Sequence, residues 1–127
     1  MAEVSDFDVA TAQRFLTGAT PLTTTFFSGG RNANKVAILQ VSALGGARSG
    51  VAGLNIRVTL NGQSLGQFTV PRWTDHNFII MHTVQIDFPS NRLLPTGPNV
   101  LRFDPVYANG SDYCWIGPAI VHFRQNT

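Results

Sequence analysis

The chain has 127 residues, the length of one ordinary domain, and 43% of them are hydrophobic, which is enough for a core. Only 13% are charged, and the net charge of +2 comes from scattered arginines and a single lysine. This pattern argues against the dense basic patch of a nucleic-acid-binding protein. No segment approaches the roughly 18 consecutive apolar residues of a membrane-spanning helix, so we expect neither nucleic acid nor membrane as a partner.

Cysteine content and the N-terminal composition indicate the compartment. Cys114 is the only cysteine, so an intramolecular disulfide is excluded. Residues 1–9 carry acidic side chains and no apolar core, so they are not typical of a signal peptide. The default expectation is a cytoplasmic protein. No repeat, low-complexity tract or long linker divides the sequence, which predicts a single domain over residues 1–127.

The first segment fits two structures. Ser5 could cap a short helix with Asp8 three residues later, and Gly18 could end it, which predicts a helix over about 6–16. The apolar spacing matches the helical period only in part, so an edge strand is the alternative.

After residue 21 the signals favour strands. Residues 35–44 are nearly all apolar, which predicts a central strand covered on both faces. Residues 54–60 alternate between apolar and polar, and Asn61-Gly62 follows, a pair that suits a type I′ hairpin turn. Further strands are predicted at 22–27, 64–70, 78–88, 99–103 and 115–123. About seven strands separated by turn residues predict an all-β fold, an antiparallel β-sandwich of the jelly-roll kind.

Two segments resemble a known family. Residues 58–68, VTLNGQSLGQF, resemble the hairpin of galactose-binding-like jelly rolls, which occur as carbohydrate-binding modules. Residues 86–89 (IDFP) with 93–101 (LLPTGPNVL) are similar to the element that follows in the last domain of rhamnogalacturonan lyases. The segments come in the same order in that family, whereas the closing segment 112–119 departs from its pattern. The resemblance implies a galactose-binding-like sandwich and a sugar-binding role.

The candidate ligand-binding residues lie in two loops. Trp73 offers an aromatic face that could cover the C–H face of a sugar, and planar polar neighbours could pair with hydroxyl groups. Those neighbours are Arg72, Asp75, His76 and Asn77. The alternative is that Trp73 packs back onto the sandwich and its neighbours are merely solvated.

The second loop precedes the final strand. Asn109, Asp112 and Tyr113 could complete the same site if both loops lie at one end of the sandwich, which the sequence leaves open. The alternative is an ordinary polar loop with Tyr113 packed at the rim.

Other chemistry-bearing residues suggest structural roles. His82 shares a face with apolar residues, and Trp115 lies in the closing strand, so both are expected in the core. Cys114 has no neighbouring base, which favours a buried and inert thiol. No cofactor is expected. Calcium is supported only weakly, by Asp6 and Asp8, because calcium takes oxygen ligands.

Three classes of function remain. The favoured prediction is a non-catalytic carbohydrate-binding domain or small lectin that binds neutral sugars through loops at one end of the sandwich. The alternative is an assembly protein, a homo-oligomer formed through a sheet face, because several apolar side chains could be exposed. The candidates for that are Phe26, Phe27 and Met81. A small enzyme is least favoured, since its acid–base groups would have to come from Asp75, His76, Asp112 or His82, and no pair has a diagnostic spacing.

Overall fold

The computed structural model describes residues 3–12, 14–17, 20–46, 53–71, 81–106 and 113–126. Nearly all of this part of the chain is extended, and a short 3₁₀ turn covers Ser90–Arg92. The strands in chain order are β1 (Glu3–Thr11), β2 (Arg14–Thr17), β3 (Leu22–Phe27), β4 (Val36–Gly46), β5 (Gly53–Leu60), β6 (Gln63–Pro71), β7 (Met81–Pro89), β8 (Pro98–Val106) and β9 (Tyr113–Asn126).

These strands form two antiparallel sheets. The first sheet has the order β1-β9-β4-β7, and β2 pairs with the beginning of β9 beyond the end of β1. The second sheet has the order β3-β8-β5-β6. Inward-facing residues of both sheets form one hydrophobic core, in which Leu39, Ile56, Phe103 and Ile116 are completely or almost completely buried. The predicted antiparallel β-sandwich is confirmed.

The prediction of a short N-terminal helix is wrong. Residues 3–11 form the edge strand β1, which pairs with β9 from Asn126 to Ala119. Asp8, which was expected to help cap that helix, instead contacts the other sheet. Its Oδ2 accepts a hydrogen bond from the backbone N–H of Phe27 at 2.8 Å. The edge of β9 supplies backbone partners for the whole segment, and this outweighs a weak local preference for helix.

β4 is central, as predicted, between β9 and β7, but only one of its faces is covered. Ala37, Leu39 and Val41 are fully buried, whereas Val36 on the other face is 61% exposed and Gln40 is exposed. The apolar run therefore does not reflect burial on both faces. It arises because Val36 and Ile38 add apolar groups to the outer surface of the sheet.

The hairpin between β5 and β6 is confirmed. Asn61 and Gly62 have φ values of 50° and 81°, the left-handed conformation that a type I′ turn requires at both positions. Leu60 and Gln63 close the hairpin as paired residues.

The sequence predictions concerned the exposure of four large side chains, those of Phe26, Phe27, Met81 and Trp115. Phe26, expected to be exposed, is 1% exposed and lies in the core, because the alternation along β3 turns it inward. Phe27 is 60% exposed, as expected, and the side chain of Met81 lies outside the described part of the chain. Trp115, expected in the core, is 41% exposed, since it alternates with the buried Cys114 and Ile116.

In the part of the chain that the structure describes, no helix is long and apolar enough to cross a bilayer.

Candidate functional site

The residues predicted to bind ligand lie almost entirely outside the described part of the chain. Only Tyr113 is described, and only by its backbone, which opens β9 and pairs with Gly46 and Thr17. The other seven lie in the segments 72–80 and 107–112; they are Arg72, Trp73, Asp75, His76, Asn77, Asn109 and Asp112.

The register of the strands that flank those two segments shows where each strand ends. Pro71 at the end of β6 pairs with Gly53, and Val106 at the end of β8 pairs with Asn55, two residues along the same strand. In the other sheet, Leu44 near the end of β4 pairs with Met81 at the beginning of β7. β4 and β9 also meet at this edge, through Gly46 and Tyr113. We call this edge of the sandwich the loop end, and the described residues that flank both candidate segments lie there.

The opposite edge, which we call the turn end, is held together by the side chain of Asn99. This residue is fully buried. Its Oδ1 accepts hydrogen bonds from Leu94 N at 2.8 Å and from Asn61 Nδ2 at 3.0 Å. Its Nδ2 donates to Ser28 Oγ at 2.8 Å and to the Phe26 carbonyl at 3.2 Å. All four hydrogen-bonding positions of the amide are thus used within the protein.

This network explains the sequence segments that resemble galactose-binding-like domains. Asn61 comes from the hairpin and Asn99 from the later segment, and the two side chains bond directly to each other. Asn61 also accepts from Val100 N at 2.8 Å and donates to the Arg92 carbonyl at 3.1 Å. The two most recognisable parts of the sequence therefore join strands at the turn end, away from the candidate loops.

The first sheet carries a cleft on its outer face that the sequence did not predict. Its volume is about 340 Å³, and we call it the outer cleft. Its floor and walls come from four strands of the sheet, β1, β9, β4 and β7, and include Ser5, Val36, Ile38, Gln40, Gln85, His122 and Arg124. The register explains the grouping, because Ile38 pairs with both His122 and Asp87, and Gln40 pairs with both Ile120 and Gln85.

Polar and aromatic groups are already in contact across the outer cleft. The Nε2 atom of His122 lies 3.2 Å from Oε1 of Gln40, and the imidazole centroid lies 6.2 Å from the ring centroid of Phe7. On β7, Gln85 Nε2 donates to Asp87 Oδ1 at 3.0 Å. The signal that could have found this surface was the alternation of polar and apolar residues in β7 and β9. The helix expected at residues 6–16 concealed the contribution of Phe7.

The Cys114 thiol and the carboxylates of Asp6 and Asp8 are buried or bonded to the backbone of the protein. Cys114 is fully buried, so the buried thiol predicted from the sequence is confirmed, and burial raises the pKa of that thiol from 9.0 to about 12. Asp6 Oδ1 accepts from Phe7 N at 2.8 Å, and Asp8 binds the backbone of β3. Within the described ranges, no three His, Cys, Asp or Glu side chains come together as a metal site.

Comparison with solved structures gives the class of fold. The chain superimposes on part of dimeric latent PorU from Porphyromonas gingivalis with a TM-score of 0.70 and 11% identity, over 98% of this chain and 13% of that one. It also matches a family 35 carbohydrate-binding module from an environmental isolate, with a TM-score of 0.55 and 18% identity. That match covers 82% of this chain and 69% of the module.

These similarities establish a shared fold. The chain is a β-sandwich of the jelly-roll kind that carbohydrate-binding modules also adopt, which confirms the family resemblance at the level of fold. It spans about an eighth of PorU, so the comparison concerns one part of that protein. The sequence matches no protein-family model and no curated protein sequence. Fold alone does not determine function, which has to be argued from the surfaces described above.

Proposed function

We propose that this chain is a single-domain, non-catalytic carbohydrate-binding protein that binds neutral sugars at the loop end, through the segments 72–80 and 107–112 together with Tyr113. The observation that carries the proposal is the strand register. Pro71 and Met81 flank the first segment, Val106 and Tyr113 flank the second, and these four residues lie at the same edge of the sandwich. This shared edge of the flanking residues supports a single site formed by both segments.

The chemistry of these segments supports a neutral sugar. Trp73 supplies a flat apolar ring, and amide and carboxylate groups on both segments can accept and donate hydrogen bonds to hydroxyl groups. The low charge of the chain suits an uncharged ligand. A solved structure of the same fold is named a carbohydrate-binding module, which is in keeping with this use of the fold.

A binding role is favoured over catalysis by the small number of titratable groups. The sequence has seven carboxylates and three histidines. The one thiol is held protonated by burial, so it is unsuited to act as a nucleophile.

A glycan array with labelled wild-type protein and Trp73→Ala tests the proposal. We expect the wild type to bind a related group of neutral glycans and Trp73→Ala to lose about tenfold in affinity, because a stacking platform contributes about 1.4 kcal/mol. Asn109→Ala, in the second segment, should weaken binding of the same glycans.

Phe27→Ala is the matched control, since Phe27 is an exposed aromatic residue at the turn end and its replacement should leave the array unchanged. An array on which Trp73→Ala matches the wild type would contradict the proposed site. A blank array from folded protein would contradict the proposed function.

Assembly through a sheet face remains a second candidate, and an apolar patch on the second sheet favours it. Phe27 is 60% exposed and Val100 is 41% exposed. Phe27 pairs with Pro98, and Thr25 pairs with Val100, so these residues share the outer face near the turn end. Exposed apolar side chains in one place are typical of contact surfaces.

Light scattering over a range of concentrations tests this candidate. If the patch joins two copies, the wild type should be dimeric and Phe27→Ser should be monomeric, while Thr23→Ser on the same face should remain dimeric. A wild-type monomer at every concentration would contradict the assembly role.

A further inference from the structure

We infer that the outer cleft is a separate binding site for a segment of a neutral oligosaccharide. The inference does not depend on the loop-end site. The Gln40–Gln85 pair in the cleft lies four residues along β4 from the Leu44–Met81 pair at the loop end, which corresponds to roughly 13 Å of strand. The two surfaces can therefore be tested apart.

The shape of the outer cleft suits a chain molecule. Phe7, His122, Ile38 and Asp87 form one row of paired residues across the sheet. With strands about 4.8 Å apart, a row over four strands is roughly 14 Å long. The adjacent row runs parallel to it through Val9, Ile120, Gln40 and Gln85. A ligand along these rows would meet mainly apolar and aromatic side chains toward β1 and polar side chains toward β7.

The polar groups of the cleft match hydroxyl groups. The amide oxygen of Gln40 contacts His122, so the NH₂ group of Gln40 can donate a hydrogen bond to a ligand. The NH₂ group of Gln85 donates to Asp87, so the carbonyl oxygen of Gln85 can accept a hydrogen bond from a ligand. These two side chains are cross-strand neighbours, so a donor and an acceptor lie side by side. A hydroxyl group can accept and donate at once, and it can therefore bond to both.

The apolar groups of the cleft match the C–H faces of sugar rings. The Phe7 side chain is 60% exposed on the edge strand, beside the imidazole of His122. Val36 is 61% exposed, and Ile38 forms part of the floor. The exposed ring of Phe7 offers a stacking surface beside the cleft, and the amides of Gln40 and Gln85 within it offer hydrogen bonds to the same ligand chain.

The charges of the cleft favour a neutral ligand over charged ones. Arg124 and Asp6 both line the cleft, and Asp87 pairs with Ile38 beside it, so the described charges at this surface have both signs. Amide side chains at the centre and charged side chains around it also disfavour a second copy of the chain, because the cores of protein interfaces are depleted of charge.

An NMR titration of ¹⁵N-labelled Trp73→Ala tests the inference, since this variant lacks the proposed loop-end platform. The probes are xylotriose, cellotriose, mannotriose and β-1,3-galactotriose at millimolar concentrations. We expect at least one of them to shift the side-chain amide signals of Gln40 and Gln85 and the ring signals of His122. Adding Gln85→Ala or Phe7→Ala should weaken that binding by about tenfold, and both positions are exposed, so the variants should fold.

Matched controls are present on the other sheet. Gln67 is exposed on the outer face of β6, and Phe27 has the same exposed fraction as Phe7, so Gln67→Ala and Phe27→Ala should leave the titration unchanged. The inference is overturned if none of the four trisaccharides shifts the cleft signals, or if Gln85→Ala binds as tightly as Gln67→Ala. Shifts of the cleft signals that depend on protein concentration without sugar would show a second copy in the cleft, and would also overturn it. A blank array together with a positive titration would reject only the loop-end proposal.

Discussion

Replacing Asn99 by alanine is expected to lower the free energy of unfolding by about 3 kcal/mol. Asn99 is fully buried and makes four hydrogen bonds with four different partners. The alanine variant would leave several of those partners buried without a hydrogen bond, and each unsatisfied group costs about 1–3 kcal/mol unless water enters. The turn end would lose the group that joins β3, β8 and the β5–β6 hairpin.

Urea unfolding followed by tryptophan fluorescence measures this effect. Asn91 provides a matched control, because it is an exposed asparagine in the same turn region, and Asn91→Ala should change stability by less than about 0.5 kcal/mol. Asn99→Asp separates the two halves of the amide, since it keeps the acceptor and loses the donor to Ser28 and Phe26. If Asn99→Ala costs no more than Asn91→Ala, the network does not hold the turn end together.

The second large effect is expected at high pH. The pKa of Cys114 is raised by burial from 9.0 to about 12. In the folded protein the thiol therefore keeps its proton at a pH where the unfolded chain has lost it. Its contribution to stability is complete below pH 9 and is lost as the pH rises from about 9 toward 12. At pH 10 the loss should be about 1.4 kcal/mol relative to pH 8.

Unfolding free energies of the wild type and Cys114→Ala, measured at pH 8, 9 and 10, check this prediction. The alanine variant removes the thiol, so the difference between the two proteins should shrink as the pH rises. Other groups that titrate in this range are common to both and cancel in the difference. Parallel curves for the two proteins would contradict the raised pKa of Cys114.

Iodoacetamide should also fail to label native Cys114 and should label it in urea, because the reactive species is the thiolate.

The two predictions concern residues of the β-sandwich that lie outside the proposed binding surfaces. Asn99 fixes the turn end, and Cys114 begins the stretch of β9 that packs against β4 and β2 directly after Tyr113. Neither residue belongs to a proposed binding surface. Variants at Asn99 and Cys114 that remain folded should therefore retain sugar binding, whereas Trp73→Ala and Gln85→Ala should affect binding with little change in stability.

Strands and turns with local signals were predictable from the amino-acid sequence. Asn61-Gly62 adopts the left-handed turn that this pair favours, and the alternation along β5 and β7 gave the correct faces. Turn geometry and side-chain period depend on neighbouring residues alone, so they can be predicted without the rest of the fold. The same local patterns were sufficient to predict an antiparallel β-sandwich.

Features that depend on distant partners could not be predicted from local patterns. Residues 3–11 are a strand because β9 offers them an edge, and β4 is exposed on one face because nothing in the described chain covers Val36. The sequence could not pair Asn61 with Asn99, nor could it gather Phe7, Gln40, Gln85 and His122 on one surface. These residues come from distant parts of the chain, and strand order and register bring them together through backbone hydrogen bonds that carry no sequence signature of their own.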